Sequence, residues 1–284
     1  MSENRTLNPG LACDFLGELL GTFILVFLGC GSVAVAVLFS AHSGLFQVAA
    51  VWGMGVALAI YASRGLSCAH LNPAVSIAFA LAKRMPAKKL PVYLAAQFLG
   101  AFLAAAVLYV LFSGSIVRFE LANDVVRGFP GSERTAMMFG EYFPNPAFGQ
   151  AGASVSFFNA FLAEGIGTCL LVLFIFSLTE RCNVGHPDSG LAPLFIGAAV
   201  SVVVCTIAPL TQAGLNPARD FGPRLFAYLA GWDHVAIPGP RGGFLAVYVI
   251  APLVGGSVAS VFFTKVLRPL MERRSGRCGG SEIC

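Results

Sequence analysis

Runs of apolar residues set the rhythm of this chain. Phe15 to Phe39 is the first, interrupted only by Glu18, and Gln47–Ser63, Leu90–Phe112, Ser154–Leu178, Gly190–Leu210 and Gly243–Val266 follow. Stretches of roughly 18 apolar residues read as membrane-spanning helices. Two further apolar stretches are too short to span. One follows Asn72-Pro73-Ala74 and the other follows Asn216-Pro217-Ala218. Asparagine is a strong helix N-cap, and proline at the next position is preset for the first helical turn. Each tripeptide therefore predicts the start of a short helix, about 11 residues or roughly 16 Å long. A bilayer core is roughly 30 Å thick, so two such helices entering from opposite faces would meet near its middle. That arrangement is a pore.

The polar intervals complete the plan. Residues 1–12 form a tail, 13–268 a channel domain, and 269–284 a second tail; within the domain a long connection, 114–153, separates segments 13–113 and 154–268. Six spans put both chain ends on one side. That side holds Lys83, Arg84, Lys88, Lys89, Arg181, Lys265, Arg268, Arg273, Arg274 and Arg277. The positive-inside rule places it, with both termini, in the cytoplasm and leaves the long connection outside.

The two segments repeat one another. Glu18-Leu-Leu-Gly21-Thr22 matches Glu164-Gly-Ile-Gly167-Thr168 at an offset of 146 residues, and the two Asn-Pro-Ala motifs are 144 apart. Each repeat carries three spans, an odd number, so the second enters the membrane upside down. Inverted repeats with short helices broken at mid-membrane place the functional site at the repeat interface. The predicted fold class is an all-α membrane protein with six transmembrane helices and two re-entrant half-helices.

Composition agrees: 57% of the 284 residues are hydrophobic and 11% charged, against about 25% charged in soluble domains. The net charge of +4 sits on the cytoplasmic face and points to no nucleic acid. Eight cysteines show no C-x-x-C spacing and read as free thiols. The first apolar run is too long for a cleavable signal. No phosphate loop, nucleophile constellation or metal-ligand run marks an enzyme, a cofactor or a metal site.

A few polar residues at membrane depth carry the chemistry. Asn72 and Asn216 cap their helices and can donate a side-chain N–H to a permeant oxygen. The two helix N-termini would focus partial positive charge there, repelling cations and interrupting a proton relay. Arg219 lies in a first helical turn, where a cation is disfavoured, and at membrane depth, where ionisable groups are usually functional. The bland alternative is a local ion pair with Asp220, whose own place in the first turn suits the dipole. Glu18 and Glu164 could relay protons; their equivalent positions instead suggest that each braces a re-entrant loop through its backbone N–H groups. His70 ties down the first loop. Periodicity does not decide whether Trp52 is merely packed or lines the pore. A third tripeptide, Asn145-Pro146-Ala147, precedes a segment too broken for a half-helix.

On these motifs the chain resembles the major intrinsic proteins, the aquaporins and glycerol facilitators, over nearly all of residues 12–268. His70-Leu-Asn-Pro-Ala is the family signature. The run Arg219-Asp220-Phe221-Gly222-Pro223-Arg224, Gly231-Trp232, Leu191-Ala192-Pro193-Leu194, Tyr142-Phe143-Pro144-Asn145-Pro146 and Pro252-Leu253 resemble the glycerol-facilitator branch, with Asp220 as its marker. The resemblance implies a constriction lined by Trp52, Val204, Ala213 and Arg219. Water-selective members carry histidine at the Val204 position, whereas bacterial glycerol facilitators carry glycine there and phenylalanine at Ala213. The set found here departs from both and is similar to the filter of plant nodulin-26-like proteins. The resemblance further implies a homotetramer, one pore per subunit, in the plasma membrane.

The expected function is passive diffusion of glycerol and other small uncharged solutes, with some water, and exclusion of ions and protons. The nearest rival is a water- or metalloid-preferring pore. A proton-coupled transporter using Glu18 or Glu164, and a structural junction protein, are more distant ones.

Overall fold

In the computed structural model residues 9–42 and 44–275 are described. Among them, six helices are long and apolar enough to cross a membrane. They are α1 (Pro9–Phe39), α2 (Leu45–Ser63), α4 (Leu90–Ala122), α5 (Phe157–Thr179), α6 (Ala192–Thr211) and α8 (Leu245–Arg274). Two short helices, α3 (Pro73–Leu81) and α7 (Pro217–Ala227), sit between the second and third span of each repeat. This is the inverted repeat of six spans and two half-helices.

Both faces of a spanning helix are apolar, so hydrophobicity alone does not mark the packed side. Size and burial do. On α1 the buried stripe runs Asp14, Gly17, Glu18, Gly21, Thr22, Leu25, Val26, Gly29 and Cys30, at helical spacing, while Leu16 and Leu20 point outward. Small residues on that stripe let neighbours approach closely, which drives association where lipid supplies no hydrophobic contrast. The α2–α6 crossing brings backbone to backbone: a Cβ on Gly53 would collide with the Gly197 carbonyl, and one on Gly197 with that of Gly53. These two glycines occupy equivalent repeat positions, so the crossing lies on the pseudo-twofold axis. The same equivalence relates Gly100 of α4, pressed on the Leu19 carbonyl of α1, to Gly255 of α8, pressed on the Gly165 carbonyl of α5.

The half-helices are exchanged between repeats. Half-helix α3 packs on α8, where Ser260 donates to the Ala78 carbonyl at 2.8 Å, and α7 packs on α4. Gly222 of α7 faces Ala101 and the Phe98 carbonyl so closely that a Cβ would meet both.

Three sequence expectations need correction. The third span continues to Ala122, some ten residues beyond the expected end. Arg118 and Glu120 make that stretch look like loop, but Ile116 and Glu120 are buried, and Glu120 pairs with Arg127 at 2.8 Å. The last helix likewise continues through residues expected to be tail, with Arg268–Ser275 helical and Arg268 paired to Glu272 at 3.0 Å. Of the cysteines, Cys13, Cys30, Cys68, Cys169 and Cys205 are free thiols, but Cys182 is disulfide-bonded; isolated spacing carries no signal of that. Arg277, Cys278 and Cys284 lie outside the described residues.

Candidate functional site: the meeting of the half-helices

Each half-helix begins on its asparagine. Asn72 Oδ1 accepts from the Ala74 N–H at 2.8 Å; Asn216 Oδ1 accepts from Ala218 at 3.0 Å and Arg219 at 3.2 Å. Pro73 and Pro217 take the first helical position in each, where no N–H is needed. Ahead of the caps the loops are forced into left-handed backbone at equivalent, non-glycine positions: Ala69 (φ 49°) and Leu71 (φ 54°), Ala213 (φ 62°) and Leu215 (φ 56°). Such residues are costly and persist only where the surroundings over-determine them.

Two buried carboxylates do so. Glu18 accepts from the backbone N–H of His70 (2.9 Å) and Leu71 (2.8 Å) and from the Ser67 hydroxyl (2.8 Å). Glu164 accepts from Gly214 (2.9 Å), Leu215 (2.7 Å) and the Thr211 hydroxyl (2.6 Å), the equivalent three positions. Gly21 and Gly167, one turn on, leave room for Leu71 and Leu215 respectively. The repeated Glu-x-x-Gly thus has a local meaning: the acid takes the loop's N–H groups and the glycine admits its leucine. Gln97 adds a bond to Glu18 at 2.7 Å. His70 places Nδ1 3.3 Å from the Ser76 hydroxyl and packs its ring on Phe79 and Tyr93.

The loops then fasten to each other. Asn72 Nδ2 donates to the Leu215 carbonyl at 3.0 Å, and Asn216 Nδ2 donates to the Leu71 carbonyl at 2.8 Å. Each carboxamide has two N–H donors, and this reciprocal clasp takes one from each. Both asparagines line a cavity of about 450 Å³.

Trp52, Val204, Ala213 and Arg219 line the same cavity. The Arg219 guanidinium lies over the Trp52 ring, 4.1 Å from its centroid, and Trp52 itself is seated against Gly29, where no side chain competes for space. The wall includes the apolar Leu25, Val56, Leu171, Ile196 and Val200, and also the polar Arg64, Arg84, Thr179, Arg181, His186 and Ser189. The geometry therefore offers one polar edge, from Arg219 past Asn216 and Asn72, against hydrocarbon and indole.

The pattern that defines the family described as MIP, Major intrinsic protein, matches residues 8–263. The chain belongs to the major intrinsic protein family. It is 43% identical over 253 residues to the Glycerol uptake facilitator protein of Pseudomonas aeruginosa, covering 89% of this chain and 88% of that one. It is 38% identical over 258 residues to the Propanediol uptake facilitator PduF of Salmonella typhimurium, covering 90% and 94%. Among solved structures, the aquaglyceroporin from Plasmodium falciparum superimposes with a TM-score of 0.79 at 29% identity, over 93% of this chain and 99% of that one.

Within this major intrinsic protein, the long connection supplies functional neighbours that sequence reasoning missed. Glu141, buried, forms an ion pair with Arg219, so the pairing of Arg219 with Asp220 does not form. Asp220 instead binds Arg224 through both oxygens, at 2.7 and 2.9 Å, and accepts the Glu141 N–H at 2.7 Å. Its role goes beyond the helix dipole. Arg224 also donates to the carbonyls of Glu141 and Ala236. The Glu141 backbone is thus gripped on both sides, which fixes its carboxylate over Arg219. Gln212 accepts from Tyr142 at 2.8 Å and donates to the Met137 carbonyl at 3.2 Å, a second staple. Asn145, in the third tripeptide, donates to the Ala208 carbonyl at 2.7 Å and caps only a short 3₁₀ stretch. An arginine in a first helical turn at membrane depth calls for an acid from elsewhere, but nothing in the sequence singles out Glu141.

Proposed function

We propose that the protein is a passive channel for glycerol and related small uncharged solutes, with some water, that excludes ions and protons. The observation that carries this is the two-sided lining of one cavity, polar along Arg219, Asn216 and Asn72 and apolar along Trp52, Val204 and Ala213. A linear polyol has hydroxyls on one edge and C–H groups on the other, and such a lining replaces its lost water hydrogen bonds without stranding its carbons. The names of the relatives, a glycerol and a propanediol facilitator, support the same solute class.

In this reading Trp52, Val204, Ala213 and Arg219 form the selectivity filter, the Asn72-Pro73-Ala74 and Asn216-Pro217-Ala218 motifs the central constriction, and Glu18, Glu164 and His70 the braces. The filter is of the nodulin-26-like kind, and the small Val204 and Ala213 keep a metalloid- or water-preferring pore as the second reading. The channel sits in the plasma membrane as a homotetramer, with both chain ends in the cytoplasm.

Stopped-flow light scattering on proteoliposomes tests it. Re-swelling in a glycerol gradient, absent from empty liposomes and indifferent to a pH gradient, is the expected result. Fast water shrinkage without glycerol re-swelling would establish the second reading, and pH-dependent flux would establish a coupled transporter.

A further inference from the structure

The reciprocal asparagine clasp and the Gly53–Gly197 crossing lie on one pseudo-twofold axis. A residue on one side of the clasp therefore has a counterpart on the other, 144 to 146 residues away. Leu25 and Leu171, Val56 and Val200, and Leu71 and Leu215 are such pairs, and all of them line the cavity. The same operation carries the four filter residues into the opposite half. Trp52 maps to Ile196, Val204 to Ile60, Ala213 to Ala69 and Arg219 to Val75. All four counterparts line the cavity as well.

Beyond the clasp, then, the chain builds a second ring on the filter's backbone plan. Ala69 stands in left-handed backbone (φ 49°) as Ala213 does (φ 62°). Val75 and Arg219 each take the third position of a half-helix capped by asparagine. What differs is the chemistry. Arg219 is answered by Glu141 and rests on the Trp52 ring, whereas Val75 belongs to an apolar cluster with Ala78, Phe79, Val172 and Phe176. The indole has room because its neighbour on α1 is Gly29; the counterpart of Gly29 is Ile175, which itself lines the cavity. His70 and Cys68, beside Ala69, are engaged in holding the loop: His70 Nδ1 lies 3.3 Å from the Ser76 hydroxyl, and the Cys68 N–H donates to the Tyr93 hydroxyl at 3.2 Å.

A water molecule inside such a ring gives up hydrogen bonds that isoleucine and valine cannot return, and apolar constrictions resist wetting. A polyol brings carbon surface to the same wall and loses less. We propose that Ile60, Val75 and Ile196, with Ala69, form a second, apolar selectivity ring that lowers the flux of water relative to that of a polyol. The inference rests on the proposed function only for glycerol as the solute; its effect on water stands without it.

The test is stopped-flow light scattering on proteoliposomes holding equal amounts of the full chain, with sucrose to read water and glycerol to read re-swelling. Val75→Thr keeps the shape of the side chain and adds a hydroxyl. Ile60→Thr and Ile60→Val are nearly equal in size and differ by that hydroxyl, so the valine variant is the reference at this position. Each threonine should raise water permeability about two- to tenfold over its reference, the worth of one hydrogen bond, and leave glycerol re-swelling within about twofold. Thermal melting confirms that the variants are folded, and if one is not, the other position decides. A role in packing alone moves both fluxes together or neither. Water flux unmoved by the hydroxyl, or water and glycerol rising in parallel, overturns the ring. A wild type without glycerol re-swelling strikes the proposed function instead, while the threonine effect on water still decides the ring.

Discussion

Gly53 and Gly197 meet backbone to backbone where α2 crosses α6, so closely that a Cβ on either would strike the other's carbonyl oxygen. The contact sits where the two repeats exchange places, and the Trp52 ring lies one residue away. A methyl group there acts on the axis of the whole assembly.

Gly53→Ala is therefore expected to destabilise by about 1–3 kcal/mol, the usual cost of overpacking where backbone must move. Thermal melting of the purified protein checks this. A melting temperature at the wild-type value would mean the crossing has slack that the geometry denies.

Asn216→Ala removes two cap bonds and the donor to the Leu71 carbonyl. The cap contributes about 0.5–2 kcal/mol, and the stranded carbonyl adds about 1–3 kcal/mol. Both stability and glycerol re-swelling should fall, and wild-type flux from a fully stable variant would sink the role given to the clasp.

Glu141→Gln keeps the shape beside Arg219 and removes the charge. Leaving one partner of a buried ion pair alone costs about 3–5 kcal/mol. The variant should melt lower, and what folds should admit small anions, because the guanidinium is no longer matched. Formate flux into proteoliposomes reads the second effect; unchanged melting together with unchanged formate exclusion would falsify the assignment.

Val204→His narrows the filter and adds a donor, so glycerol flux should drop more than water flux. Parallel losses would show that Val204 does not face the permeant. Arg219→Ala should raise proton and ion leak above background, read with a pH-sensitive dye inside the vesicles.

Much of the architecture was legible because the repeat wrote it twice. Two landmarks with nearly one offset placed both half-helices and both loop acids, and Asn-Pro marked both starts. Glu141 was not legible. It lies in a long polar connection, 79 residues before Asp220 whose carboxylate accepts its N–H, and a single acid between glycine and tyrosine has no periodic context. The Asp220–Arg224 pair was closer to hand, since i, i+4 spacing on a helix brings such groups together, but the adjacent Arg219 competed for the same acid on paper. The end of α4 escaped for the opposite reason: charges that read as loop, Arg118 and Glu120, ride on a helix that continues past the apolar run.

The exchanged half-helices have a consequence for how such a chain can be made. Asn72 reaches into the second repeat and Asn216 into the first, while α3 leans on α8 and α7 on α4. Neither three-span half can finish its own pore wall, since each keeps the clasp that closes the other. Cut in the connection after Ala122, the chain becomes two fragments that are inert apart and complementary together. A single polypeptide here does the work of a heterodimer, its linker bringing the two partners together in equal number as well as carrying Glu141 to Arg219.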